Sequence, residues 1–193
     1  MRRTVFLLLA GLSSGSTAWA DPVPYRFDMM HSRLFFDWVH QGYSIMLGRF
    51  AEFDGELLFD AENPAASSLT VTIAADTVDV FDAELNPRLL TDEFFNVADY
   101  PEIRFVSRRV EPIDPDHFRV IGDITMLGVT KPLTLEVTQN QVGINRQDLM
   151  VAGFSGRGRL DRRDFGMNFL ADVAGGEIAI RVEIEASPLT EFE

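Results

Sequence analysis

The sequence predicts an all-β protein in which eight or nine strands close into an antiparallel barrel, with one short helical insertion. Short segments of alternating apolar and polar residues recur along the chain, and turn residues separate them. The stretch from Phe118 to Thr138 shows this pattern best, because Leu133, Leu135 and Val137 alternate with polar residues. A lone hairpin cannot bury a core, and an open sheet of this length would expose edges that promote aggregation. We therefore expect the sheet to close on itself.

The chain opens with a predicted strand over Tyr25–Met29 and a second over Ser32–Gln41. In the second strand four side chains share the face expected to point inward: Leu34, Phe36, Trp38 and His40. His40, at the end of that row, can be either a structural histidine with satisfied hydrogen bonds or a contact to a ligand.

The next strands are separated by a turn or a short helical loop, which we expect over Gly42–Leu47. A single long strand is predicted for Gly48–Asp60, where Gly55 allows the wall to bend. Its inward row contains Phe53 and Phe59. Leu69–Ile73 then alternates cleanly as another strand.

Helical signals concentrate between Asp79 and Phe95. Asn86 followed by Pro87 is typical of a helix start, so we predict a short helix over Arg88–Leu90. Because this region, which includes Phe94, is too short to form a helical layer, we expect it to act as a lid or plug at one end of the barrel.

The second half of the chain returns to strands. We predict a strand from Pro101 to Val110 with Phe105 inward, followed by the hairpin described first, with its loop at Met126–Lys131. A polar loop is expected at Asn140–Asp148. The last two predicted strands are Leu149–Leu160 and Ile178–Ala186. In the strand that contains Phe154, small residues share the inward face, which leaves room for a cavity.

The first twenty residues have the features of a secretory signal peptide. Arg2 and Arg3 precede an apolar run that is too short to span a bilayer, and Ala18–Ala20 forms an A-x-A cleavage site. We therefore expect export to the periplasm, with residues 21–193 as one barrel domain. The chain contains no cysteine, so a core rather than disulfides must stabilise it.

Charge excludes several classes of partner. Removing Arg2 and Arg3 from the 17 basic residues leaves 15 against 30 acidic residues, a formal net charge of −15. Binding to nucleic acid or docking on anionic lipid requires a basic surface, so neither is expected. No second apolar run could form a stable membrane anchor.

Catalytic and metal-binding patterns are absent from the sequence. There is no cysteine nucleophile and no G-x-S-x-G or S-x-x-K pattern, and the three histidines lack the spacing of metal ligands. We therefore predict a protein that is not an enzyme, with no catalytic residues, no metal ligands and no cofactor.

Several segments together resemble the YceI-like, polyisoprenoid-binding periplasmic family. They are GRFAEFDGELLFD at 48–60, DEFFNVADYPEIRF at 92–105, GDITMLGVTKPLTLEV at 122–137 and DRRDFGMN at 161–168, with HS at 31–32 and NPAASS at 63–68. The resemblance covers nearly the whole of residues 21–193. It implies an extended, lipocalin-like barrel of eight strands around an apolar tunnel, and a role in holding a polyisoprenoid or isoprenoid-quinone-like lipid.

One departure from the family pattern lies before FFNVADYP. Members of the family often carry a charged helix similar to R-D-x-H-L-R, whereas this chain has LNPRLL at 85–90, with Arg88 in the histidine position. If the helix lines the tunnel mouth, the polar chemistry of the mouth has changed.

The expected ligand-binding residues are the inward apolar and aromatic side chains together with His40: Leu34, Phe36, Trp38, His40, Phe53, Phe59, Phe94, Phe105 and Phe154. Two other functions stay open, an enzyme that acts on an isoprenoid lipid and a stress-related structural protein whose cavity fills incidentally. A homodimer is possible on this reading.

The headgroup of the lipid is expected to be neutral, such as a quinone. The one dense basic cluster comprises Arg157, Arg159, Arg162 and Arg163, and we interpret it as a solvated outer face paired with neighbouring acids.

Overall fold

A computed structural model of the chain describes residues 21–189, so the predicted signal peptide lies outside the described residues. One antiparallel sheet contains all the strands of this range. In chain order they are β1 (Val23–Phe27), β2 (Arg33–His40), β3 (Ser44–Phe50), β4 (Phe53–Phe59), β5 (Ser68–Ala74), β6 (Val78–Asp79), β7 (Glu102–Pro112), β8 (His117–Met126), β9 (Val129–Ile144), β10 (Met150–Asp161) and β11 (Glu177–Pro188). The helices are short: α1 (Asn86–Leu89), α2 (Ala171–Ala174) and 3-10 turns at Pro64–Ala66, Ala75–Thr77 and Arg162–Phe165.

These segments form a closed barrel of eight strands, as predicted. β1 and β2 lie end to end along one edge of β11, where Tyr25 pairs with Pro188 and Asp37 pairs with Ala179. In the same way β3 and β4 form one interrupted strand beside β1 and β2, and β5 and β6 form the next. Together with β7 to β11 this gives eight strands, and the pairing of β11 with the first one closes the ring.

The three interruptions lie side by side in the sheet. The break at 51–52 is joined to the break at 75–77 by a hydrogen bond from the Ala51 amide to the Thr77 carbonyl, at 3.1 Å. At the break between β1 and β2, the buried Ser32 hydroxyl donates to the Glu185 carbonyl at 3.3 Å and accepts from the Glu185 amide at 3.2 Å. The Ser32 side chain thus replaces a missing backbone partner of β11.

The prediction of one continuous strand over Gly48–Asp60 is therefore wrong. Phe50 and Phe53 are each 7% exposed and both belong to the core. Side chains alternate across a pleated strand, so two inward residues three positions apart require an interruption between them. The break at 51–52 provides it.

Two predicted loops are also wrong in extent. Residues 44–47 belong to β3 rather than to a loop, because they pair with β2 after a turn in which Gln41 and Gly42 have φ values of 53° and 78°. Met126–Lys131 contracts to a two-residue turn, in which Leu127 and Gly128 have φ values of 52° and 71°, as in the favoured hairpin turns.

The later loop and the helices also differ from the sequence prediction. β9 runs to Ile144, so the predicted loop at Asn140–Asp148 is shorter than expected. The insertion helix covers Asn86–Leu89 rather than Arg88–Leu90. The helical turns at Arg162–Phe165 and α2 were not predicted, because each contains a single turn and carries no periodic apolar pattern.

Both α-helices of residues 21–189 lie at one end of the barrel, which we call the mouth end. This end is formed by the β2–β3 turn, residues 80–101 with α1, the β8–β9 turn and residues 162–176 with α2, as follows from the antiparallel strand order. The region between β6 and β7 therefore covers one end, as predicted. Across residues 21–189, no helix has the length and apolar composition needed to cross a bilayer.

Candidate functional site

The barrel encloses an apolar cavity of about 490 Å³, which lies within the usual range for small-molecule sites. Side chains from both ends of the barrel and from every wall strand except the two-residue β6 line it. Along β11 the lining runs from Ile178 to Ile184, a length of about 20 Å at 3.3 Å per residue. Polar lining side chains are few: Trp38, His40, Ser67, Ser68, Asp82 and Arg162. The cavity is therefore suited to a long apolar molecule.

The structure brings all nine predicted site residues to the cavity wall. Leu34, Phe36, Trp38 and His40 line it from β2, Phe53 and Phe59 from β4, Phe94 from the region after α1, Phe105 from β7 and Phe154 from β10. The predicted register of β2 is confirmed, because Trp38 faces the cavity while its neighbour Val39 is 53% exposed. Their role in binding a ligand stays a prediction.

The cavity opens chiefly at the mouth end. Lining residues that are also exposed to solvent are His40, Met46, Asp82, Leu170 and Val173 at this end, against Ser68 alone at the other, within residues 21–189. The His40 ring lies near solvent and is not buried among core side chains. An elongated ligand would therefore enter and leave past the β2–β3 hairpin and α2.

Two aromatic rings occupy the space that a side chain would fill at glycines of the wall. A Cβ added at Gly48 would come within 2.3 Å of Cζ of Phe36, its partner across the β2–β3 ladder. A Cβ at Gly122 would come within 2.6 Å of Cζ of Phe105. The glycines thus let two large rings recede into the wall, which keeps the lumen open.

The rings also pack on one another around the cavity. Phe36 stacks on Trp38 with ring centroids 6.0 Å apart, and Phe59 meets Phe154 edge to face at 5.2 Å. These are favoured aromatic arrangements, and they fix the shape of the wall.

Two apolar side chains line the cavity at this part of the mouth, Leu89 of α1 and Leu85, which directly precedes α1. Arg88 points elsewhere. Its Nε donates to the Glu93 carboxylate at 2.6 Å, and its guanidinium carbon lies 4.4 Å from the centre of the Phe169 ring. The side chains that segment 85–90 contributes to the lining are thus apolar, and the charge of Arg88 is used in a contact between loops.

The interpretation of the basic cluster is wrong for Arg162. Arg159 pairs with Glu177 and Arg163 pairs with Asp161 at the surface, as expected. Arg162, however, is only 6% exposed and lines the cavity. The alternation of inward and outward side chains could have predicted that Arg162 faces the cavity. Arg162 lies an even number of positions after the inward residues Phe154 and Leu160.

Burial lowers the pKa of Arg162, since desolvation opposes its charge, while the nearby Asp161 carboxylate acts in the opposite direction. An arginine nevertheless stays charged in proteins at neutral pH. The apolar cavity therefore has a permanent cation in its wall.

A second group of polar residues lies at the break between β1 and β2. The ligand atoms of Asp28, His31 and Glu185 lie within 4.8 Å of one another, a set that could hold a cation, although exposed acidic groups are common without one. His31 Nδ1 is 2.7 Å from Asp28 Oδ2. This contact raises the pKa of His31 and lowers that of Asp28, in each case chiefly through the hydrogen bond between them. The spacing of the histidines gave no sign of this group, because Glu185 joins it from β11.

Comparison with known proteins places these features in a family. The model of the YceI-like domain matches residues 25–186. Protein YceI of Escherichia coli O157:H7 is 36% identical over 175 residues, which cover 90% of each chain.

Solved structures share the fold. Burkholderia cenocepacia BcnA superposes with a TM-score of 0.76 at 23% identity, over 83% of this chain and 99% of BcnA. A polyisoprenoid binding domain from Saccharophagus degradans superposes with a TM-score of 0.61 at 14% identity, over 86% of this chain and 99% of that domain. The barrel, its cavity and the sequence match together show that the chain belongs to the family of YceI-like domains.

Proposed function

We propose that the protein is a periplasmic carrier that holds a polyisoprenoid or isoprenoid-quinone-like lipid inside the barrel, with the chain along the cavity. The observation that carries this proposal is the cavity itself, about 490 Å³ of almost wholly apolar space running through the barrel. The family match and the polyisoprenoid binding domain of Saccharophagus degradans support the choice of ligand class.

The energetics agree with a carrier. Burying about ten carbons of a lipid chain contributes roughly 8 kcal/mol, at about 0.8 kcal/mol per methylene. Association and ordering offset several kcal/mol of this gain, and longer chains restore it. An affinity near or below about 1 μM is therefore attainable from the chain alone. Such an affinity holds a lipid in water and still allows its release.

The composition of the wall favours binding over chemistry. The polar lining side chains are a tryptophan, a histidine, two serines, an aspartate and an arginine. Within the described residues, no side chain hydrogen bond joins any two of them. A nucleophile positioned by a general base requires such a contact.

The test is to express the full chain, purify the exported protein and extract its lipids for mass spectrometry. A prenyl lipid in a ratio near one per protein supports the carrier. Protein that contains no lipid and, in addition, does not bind a long-chain prenol or quinone after delipidation would contradict it. Conversion of the lipid by purified protein would instead indicate an enzyme. Fractionation of the cells tests the location, since the carrier should be released with the periplasmic contents.

A further inference from the structure

Arg162 is the one cation in the cavity wall formed by residues 21–189. It lies directly after β10, at the mouth end, and is 6% exposed. Its guanidinium carbon is 5.9 Å from the centre of the Phe94 ring, and Phe94 also lines the cavity. Burial of a charge among apolar groups is unfavourable unless a partner compensates it.

The described residues supply no carboxylate as that partner. No carboxylate oxygen of residues 21–189 lies within 4.0 Å of the Arg162 guanidinium. The adjacent Asp161 is occupied by Arg163, whose backbone amide and Nε each bond to Oδ1 at 2.9 Å. Arg162 itself makes one side-chain hydrogen bond in this range, from Nε to the Gly175 carbonyl at 3.1 Å. Its two terminal nitrogens therefore keep their donors for another group.

The surrounding backbone fixes the side chain in place. The Arg162 amide donates to the Gly176 carbonyl at 2.9 Å, and the Met167 amide donates to the Arg162 carbonyl at 3.2 Å. With the Nε bond to Gly175, both the backbone and the start of the guanidinium are held before a ligand arrives. Such pre-organisation lowers the entropy lost when a ligand binds.

A planar guanidinium with free terminal donors matches an oxyanion, because two parallel N–H groups can bond two oxygens of a phosphate or a carboxylate. We propose that Arg162 binds the oxyanion headgroup of the lipid at the mouth end, so that the protein selects acidic prenyl lipids over neutral ones. This inference rests on the proposed function, since it assigns the headgroup of the same ligand. It reverses the neutral headgroup expected from sequence, because that expectation placed all four arginines on the outer face.

The experiment compares two probes with the same chain, geranylgeranyl monophosphate and geranylgeraniol, on the delipidated full protein at physiological salt. Wild type should bind the phosphate about 10- to 100-fold more tightly, as expected for charge-assisted hydrogen bonds in a desolvated site. In Arg162→Gln the two affinities should become similar, mainly through weaker binding of the phosphate.

Arg157→Gln is the matched control. Arg157 is an exposed residue of β10, so its substitution removes the same charge from the protein without touching the cavity wall. It should keep the preference for the phosphate. Equal loss of preference in both variants would mean that net charge decides the selectivity, and an unchanged preference in Arg162→Gln would also overturn the proposal. Excess inorganic phosphate should fail to displace the prenyl phosphate, and full displacement would point to a site for the free anion.

The outcomes separate this inference from the carrier function. If wild type binds neither probe nor any longer prenol, the carrier function fails. If wild type binds both equally, the carrier stands and only the role of Arg162 is overturned. Should Arg162→Gln fail to fold, phosphorus NMR of wild type decides: contact with the guanidinium should lower the second pKa of the bound phosphate below its value in detergent micelles. An unchanged pKa would overturn the proposal.

Discussion

Gly48→Ala tests whether the wall glycines keep the lumen open for a lipid. The added Cβ would lie 2.3 Å from Cζ of Phe36 and 2.7 and 2.8 Å from its two Cε atoms. Ordinary van der Waals contact begins near 3.4 Å, so the ring must retreat by about 1 Å. The wall lies behind the glycine, and the ring can therefore move only toward the lumen and toward Trp38, on which it stacks.

The expected magnitudes follow from that displacement. Overpacking costs about 1–3 kcal/mol, while replacing a strand glycine by alanine returns about 0.5–1 kcal/mol of backbone entropy. The net loss of stability is therefore modest, about 0–2.5 kcal/mol. If the ring excludes one or two methylenes of a bound chain, affinity should fall about 4- to 15-fold, at about 0.8 kcal/mol per methylene.

The assay is a titration of delipidated protein with geranylgeraniol, alongside denaturant unfolding. Gly153→Ala is the matched control, since a Cβ there meets its nearest neighbours only at 3.8 and 3.9 Å. It should bind like wild type. The reasoning is refuted if Gly48→Ala stays folded and binds the prenol with wild-type affinity, because the ring would then lie off the path of the ligand.

Three further predictions concern the cavity and its surroundings. Phe154→Asp should lower lipid retention at least about 100-fold, because a bound lipid chain would desolvate an unpaired carboxylate. Leu58→Asp, at a position that is 43% exposed, is the control and should retain lipid. Equal retention in both variants would place the lipid chain elsewhere. Trp38 is the only tryptophan of residues 21–193, so a long-chain quinone should quench its emission strongly and a saturated prenol should only shift it; emission that iodide quenches and lipid leaves unchanged would contradict its place in the lining. The Asp28 pKa is lowered from its ordinary value of 3.8, and the His31 pKa is raised from its ordinary value of 6.5. Both groups are therefore charged between pH 3.8 and pH 6.5, and in this range the ion pair stabilises the fold. Its contribution is lost as the pH falls through the Asp28 pKa or rises through the His31 pKa. His31→Ala should therefore lower the Tm at pH 5.5 more than at pH 8.5, and an equal change at both would show that the ion pair does not contribute.

Sequence alternation predicted the inward faces well wherever a strand is continuous. Trp38, Phe105 and Phe154 line the cavity as expected, because a two-residue period leaves only one face for the apolar row. Alternation failed at the break between β3 and β4, where Phe50 and Phe53 both face the core. The available signal was that Phe50 and Phe53 are an odd number of positions apart, so one regular strand could not point both of them inward.

Contacts between different segments of the chain explain the remaining differences. Residues 44–47 look like a loop in isolation and become strand because Met46 pairs with Trp38 on β2. Arg162 looked like one member of a surface cluster, and its burial depends on Gly175 and Gly176, which hold it from the other side of the loop. The pairing of Met46 with Trp38 leaves no local signal in residues 44–47, whereas the alternation through β10 was an available signal for the inward position of Arg162.

The closure of the barrel also sets the order in which the molecule can form. β1 and β2 find their partner in β11, and the Ser32 hydroxyl meets the backbone of Glu185, 153 residues further along the chain. Contacts of such separation form slowly, because a long loop must close before any of them contributes. Until residues near 180 emerge and dock, the first strands keep a free edge and the lumen has no complete wall. The enclosed lumen is therefore complete only after the final step of folding, and the chain needs protection from edge-to-edge association during that interval.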